Sequence, residues 1–135
     1  WSWYKSPAYT SAWLELANGV KVNYLGTYVT QGPQSTWDND WRIEGSKGTL
    51  LWDATPDAPL RYTPGPEGSP ELLTVKPFAP ANLQGTLDQL LRAIAEGAPH
   101  ECSARDNLKT LAICAACELS ARKRCVVNVE DVLSR

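Results

Sequence analysis

Apolar and polar residues alternate most cleanly between Asp40 and Asp53, in the stretch DWRIEGSKGTLLWD. On a pleated strand pair this puts Trp41, Ile43, Leu50 and Trp52 on one face, with Arg42, Glu44, Thr49 and Leu51 on the other. Gly45 and Gly48 bracket Ser46 and Lys47, so a tight turn is predicted there, with both glycines free to take the positive φ that side chains resist. Residues 9–16 and 20–29 also alternate, joined through Ala17, Asn18 and Gly19. A two-residue loop at Asn18 and Gly19 would set Leu14 opposite Asn23 and Leu16 opposite Lys21, mixing apolar with polar. A three-residue loop with Gly19 left-handed instead sets Leu16 against Val20, Leu14 against Val22, Ala12 against Tyr24 and Glu15 against Lys21. The second register is predicted, since matched cross-strand pairs contribute roughly 0.2 to 1 kcal/mol each. It leaves Tyr9, Trp13, Asn23, Leu25 and Thr27 on the opposite face, an aromatic and polar mixture suited to meeting another protein.

The rest of the chain does not alternate as cleanly. Residues 1–7 hold two Trp, a Tyr and a Pro without a period and are expected to be extended, with aromatics that need cover. Gln31, Gly32, Pro33 and Gln34 mark residues 30–37 as a loop. Residues 53–59 break the sheet, and short strands at 60–62 and 72–75 flank TPGPEGSP, an exposed hairpin loop; Pro77 and Pro80 end the β part. Asn82 is expected to cap a helix reaching Glu96, with Gly97 as its stop. Its stripe of Leu83, Leu87, Leu90, Leu91 and Ile94 is predicted to cover a sheet, leaving Gln84, Asp88, Gln89 and Arg92 outside. Ser103, with Asp106 three residues on, opens a second helix running to about Arg122. There Leu108, Leu111, Ala112, Ala115 and Leu119 form the main stripe and Ile113, Cys114 and Cys117 a second, so a sandwiched helix is predicted. Val126 to Val129 reads as a last short strand, and Val132 and Leu133 as a closing turn.

Composition and charge narrow the function without naming it. The chain of 135 residues fits a single α+β domain over 1–135. A net charge of -2 with dispersed Lys and Arg gives no basic stripe, so nucleic acid is not an expected partner. No apolar run approaches the roughly 20 residues that span a bilayer, so a soluble protein without a membrane partner is expected. The chain begins at Trp1 and contains no Met, and is expected to be a piece of a longer polypeptide. The four cysteines fall in the last third, where Cys114 and Cys117 would diverge one helical turn apart; reduced thiols in a cytoplasmic protein are expected.

Each candidate for chemistry has a plainer reading. Cys114 and Cys117 have the CxxC spacing, but a redox pair needs its first thiol at a helix N-terminus, and these lie inside the helix. Small buried core positions are expected for both, with no metal bound. His100, between Pro99 and Glu101, is expected at the surface. Asp38, Asp40, Asp53 and Asp57 lie near turns, where acids cap backbone or face water. The glycines of GSKG and GPEG lack the strand, GxGxxG and helix order of a dinucleotide site. No catalytic or cofactor-binding residue is assigned in this chain.

At WRIEGSKGTLLW the sequence resembles the C-terminal domain of the Gfo/Idh/MocA (glucose-fructose oxidoreductase, inositol dehydrogenase) family, whose IxGxxGxL strand is matched by Ile43, Gly45, Gly48 and Leu50. LANGVKVNYLGTY, residues 16–28, is similar to the family's strand, NG turn and strand. LLRAIAEGAPHECSARDNLKTLAICAACELSARKRCVVNV resembles its helix, EG loop, D-L-x-T-L, small-residue helix and final valine-rich strand. The resemblance covers nearly the whole chain in order. It implies an open, mainly antiparallel sheet with two main helices on one face, a dihydrodipicolinate-reductase-like C-terminal domain, attached to an N-terminal Rossmann domain that binds NAD or NADP. The family's dinucleotide loop, EKP lysine and following histidine would lie upstream of Trp1, and His100 does not align with that histidine. By this similarity the full protein is an oxidoreductase of a sugar, polyol or related compound. This piece, inactive alone, would supply a pocket wall around Tyr28, Gln31 and Trp37 and a homodimer face at Tyr9, Trp13 and Leu25. The rival reading is a stand-alone module binding carbohydrate or protein through that aromatic face.

Overall fold

A computed structural model describes residues 3–5, 8–53, 60–74 and 82–134. The predicted break after Asp53, the end of the strand at Val75, the stops at Pro77 and Pro80, and Asp57 lie outside the described residues, as do Trp1, Ser2, Ser6 and Pro7 of the opening segment. The described residues form an α+β structure with antiparallel sheets and three helices. It divides into two units, Trp1–Pro77 and Phe78–Arg135.

In the first unit, β1 (Tyr9–Glu15) pairs with β2 (Lys21–Thr27) in the bulged register. Ala12 faces Tyr24, Leu14 faces Val22, and Glu15 forms an ion pair with Lys21. Leu16 donates its N–H to the Val20 carbonyl at 2.9 Å, Gly19 donates to Leu16 at 2.8 Å, and Gly19 has φ 85. The apolar pairs choose this closure, and Gly19 permits it. Asn18 Oδ1 accepts from the Val20 N–H at 3.2 Å and stiffens the loop.

The other strands form a second sheet, in the order β3 (Trp41–Gly45), β4 (Gly48–Trp52), β5 (Leu60–Thr63), β6 (Glu71–Leu73). Trp41 faces Trp52 and Ile43 faces Leu50, as the alternation predicts. Extending the register through Leu50 opposite Tyr62 and Leu60 opposite Leu73 carries this apolar face across all four strands. Arg42, Glu44, Arg61 and Leu72 take the other face, where Arg42 Nε donates to Glu44 at 2.6 Å. The two glycines of the β3–β4 turn are not equivalent, contrary to expectation. Only Gly48 has a positive φ, 149, while Gly45 lies outside that region. Ser46 and Lys47 complete the reversal without a left-handed residue, and Gly48 is instead demanded by the close passage of Thr63 and Pro64. Tyr62 Oη donates to the Lys47 carbonyl at 2.7 Å and ties the turn to β5.

In the second unit, α1 (Asn82–Glu96) ends at Gly97, which has φ 67 and donates its N–H to Ala93 at 3.0 Å. Its leucine stripe is exposed, Leu83 by 86% and Ile94 by 73%. The sheets, one of which the stripe was expected to cover, belong to the other unit. Gly85 is buried and Asp88 and Gln89 are half-buried.

Helix α2 (Ala104–Lys123) starts at Ser103, whose hydroxyl accepts from the Asp106 N–H at 3.1 Å. Removing such a cap costs about 1 kcal/mol. Ser103→Ala is thus expected to lower the urea midpoint by that equivalent while Ser103→Asp holds it; an unchanged midpoint for the alanine variant would count against the cap. The buried line of α2 is Ala112 and Ala116, with Leu119 half-buried. Leu108, Leu111, Ala115 and Cys114 are exposed, so the buried line of α2 is narrow and made of small residues.

The strand predicted over Val126–Val129 does not form: residues 126–128 carry no regular structure, and the expected closing turn at Val132 and Leu133 is part of a short helix, α3 (Val129–Leu133), packed on α2. Asn128 Oδ1 accepts from the Glu130 N–H at 3.1 Å, and Glu130 and Asp131 sit in the first turn. A valine run forms a strand only with a partner strand to pair with, whereas this cap is satisfied locally. Ser120 Oγ donates to the Cys125 carbonyl at 2.7 Å and folds the connection back against α2.

Candidate functional site

Register places Tyr9, Trp13 and Leu25 on one face of the β1–β2 hairpin, with Ser11, Asn23 and Thr27 among them and the Glu15–Lys21 pair at the turn end. The three large side chains are exposed by 59%, 76% and 64%. They form an apolar centre with a polar margin, the composition of a protein contact surface.

Tyr28 stands one residue beyond β2 and donates its N–H to the Ala8 carbonyl at 2.9 Å. That pairing continues the β1–β2 register and sets Tyr28 on the face opposite Trp13. Its ring stacks on Tyr4, with centroids 6.4 Å apart and planes inclined by 14°. Tyr4 in turn meets Trp3 edge-on at 5.3 Å. Tyr4 and Trp3 are the neighbours that sequence reasoning missed; the aromatic content of the opening segment was their signal.

Gln31 and Trp37 are exposed on the loop between β2 and β3, Trp37 by 93%. Short turns built on hydroxyls shape this loop: Thr27 Oγ1 accepts from Val29 at 3.1 Å and Thr30 Oγ1 from Gly32 at 3.2 Å. Beyond them, Asn39 at φ 62 and the Trp41 indole, which donates to the Asp38 carbonyl at 2.7 Å, lead into β3. Tyr28, Gln31 and Trp37 share this segment of chain, and they line neither of two shallow grooves formed by the described residues. One groove, of about 210 Å³, runs between α2 and α3 over Ala115, Leu119 and Val132, with the Glu118–Arg122 ion pair at its rim. The other, of about 160 Å³, lies beside Cys125, Val126 and Asp131.

His100 is half-buried rather than on the surface, and its Nε2 is shielded and has no hydrogen-bond partner among the described residues. Its carbonyl accepts from the Ser103 N–H at 3.1 Å, which ties this loop to the start of α2. Among the described residues no group of three or more His, Cys, Asp or Glu could hold a metal ion. All four cysteines are free, with Cys102, Cys114 and Cys125 exposed and Cys117 half-buried. Cys114 is therefore not the buried core residue expected, because two residues along a helix from Ala112 is about 200° round, away from the shielded line. A thiol-reactive dye on the native chain is expected to label Cys102, Cys114 and Cys125 rapidly and Cys117 more slowly. Rapid labelling of Cys117 ahead of Cys114 would contradict this order.

No helix among the described residues is long and apolar enough to cross a membrane. The chain matches no protein-family model, no curated protein and no solved structure.

Proposed function

We propose that this chain is the C-terminal domain of an NAD(P)-dependent oxidoreductase of the Gfo/Idh/MocA type, acting on a sugar, polyol or related compound. In this reading its fold is dihydrodipicolinate-reductase-like, and a Rossmann domain of the same polypeptide holds NAD or NADP. The piece itself supplies a surface of the substrate pocket near Tyr28, Gln31 and Trp37 and the homodimer face at Tyr9, Trp13 and Leu25. Four free thiols are in keeping with a cytoplasmic setting. The observation that carries the reading is a succession of motifs: the bulged Asn18–Gly19 hairpin, the Ile43–Gly45–Gly48–Leu50 hairpin, α1 with its Gly97 stop, and α2 opening at Ser103 follow one another in the order the resemblance requires.

The reading frame ahead of Trp1 tests it: a strand, GxGxxG and helix followed by EKP supports the oxidoreductase, and an unrelated domain removes it. In calorimetric titration the 135-residue chain alone is expected to bind neither NADH nor NADPH, since the phosphate-holding loop belongs to the other domain. Saturable binding tighter than about 100 μM, roughly 5.5 kcal/mol, would overturn this division of labour. The exposed hairpin face of Tyr9, Trp13 and Leu25 favours a second reading, a stand-alone module binding carbohydrate or protein, which the unrelated upstream domain would support.

A further inference from the structure

We draw no further inference here: the strongest candidate, the apolar face of the four-stranded sheet formed by Trp41, Ile43, Leu50, Trp52, Tyr62 and Leu73, is an unpartnered surface, and nothing in the structure shows what covers it.

Discussion

In light scattering at tens of micromolar the chain is expected to show twice its 14.8 kDa mass, and Trp13→Glu is expected to return it to the monomer. Trp13, Tyr9 and Leu25 lie on one hairpin face at 76%, 59% and 64% exposure. Together they offer on the order of 400 Å² of apolar surface, about half of what each partner contributes to a standard two-fold interface. Buried area of this size does not convert directly into affinity, because lost rigid-body freedom alone costs about 4 to 15 kcal/mol per association and side-chain ordering adds to it, so the outcome rests on a few anchoring side chains. Trp13 supplies nearly half of the apolar area, and glutamate there would remove it and place a carboxylate at the contact centre of both copies. The dissociation constant is expected to rise by at least about 30-fold, the effect of losing a hot-spot residue of 2 kcal/mol. An unmodified chain that is monomeric, or a dimer indifferent to Trp13→Glu combined with Leu25→Glu, would rule out this face.

Gly48→Ala is expected to destabilise the chain far more than Gly45→Ala, although the two glycines look alike in sequence. At Gly48 the backbone has φ 149, and an added Cβ would overlap the Thr63 carbonyl oxygen and stand 3.0 Å from Pro64 Cα. Both obstacles are backbone atoms held by the pairing of Thr49 with Thr63, so relief requires prising β5 from β4. At Gly45 the nearest atom to an added Cβ is the Gly48 oxygen, at 3.8 Å, which is ordinary contact. A loss of about 2 to 4 kcal/mol is expected for Gly48→Ala and under about 1 kcal/mol for Gly45→Ala, against the 5 to 15 kcal/mol that stabilises a typical domain. Urea denaturation of both variants measures the difference, and equal midpoints would show that β4 and β5 do not approach as closely as described.

Features set by near neighbours in the chain were legible in the sequence. The β1–β2 register followed from matching Leu14 to Val22 across Gly19, and with it the shared face of Tyr9, Trp13 and Leu25. The alternation from Trp41 to Trp52, the Ser103 cap and the Gly97 stop were legible for the same reason, since each depends on a few adjacent residues. The Asn128 cap, with Glu130 and Asp131 beside it, lies at the end of the valine run, where a strand was expected over Val126–Val129; the chain there is irregular and α3 starts at Val129.

The sequence by itself therefore determined the class of each major element and which side chains share a strand face, because backbone sterics, turn geometry and capping act over a few residues. Tertiary structure alone decided what depends on residues distant in the chain. It split the strands into two sheets, shielded α2 along Ala112 and Ala116 instead of Leu108 and Leu111, and left Cys114 exposed. It stacked Tyr28 on Tyr4 and separated Gly48 from Gly45 through the approach of Thr63. Helical periodicity shows that a face is apolar but not what lies against it; burial is fixed by the partner element, whose position no local pattern encodes.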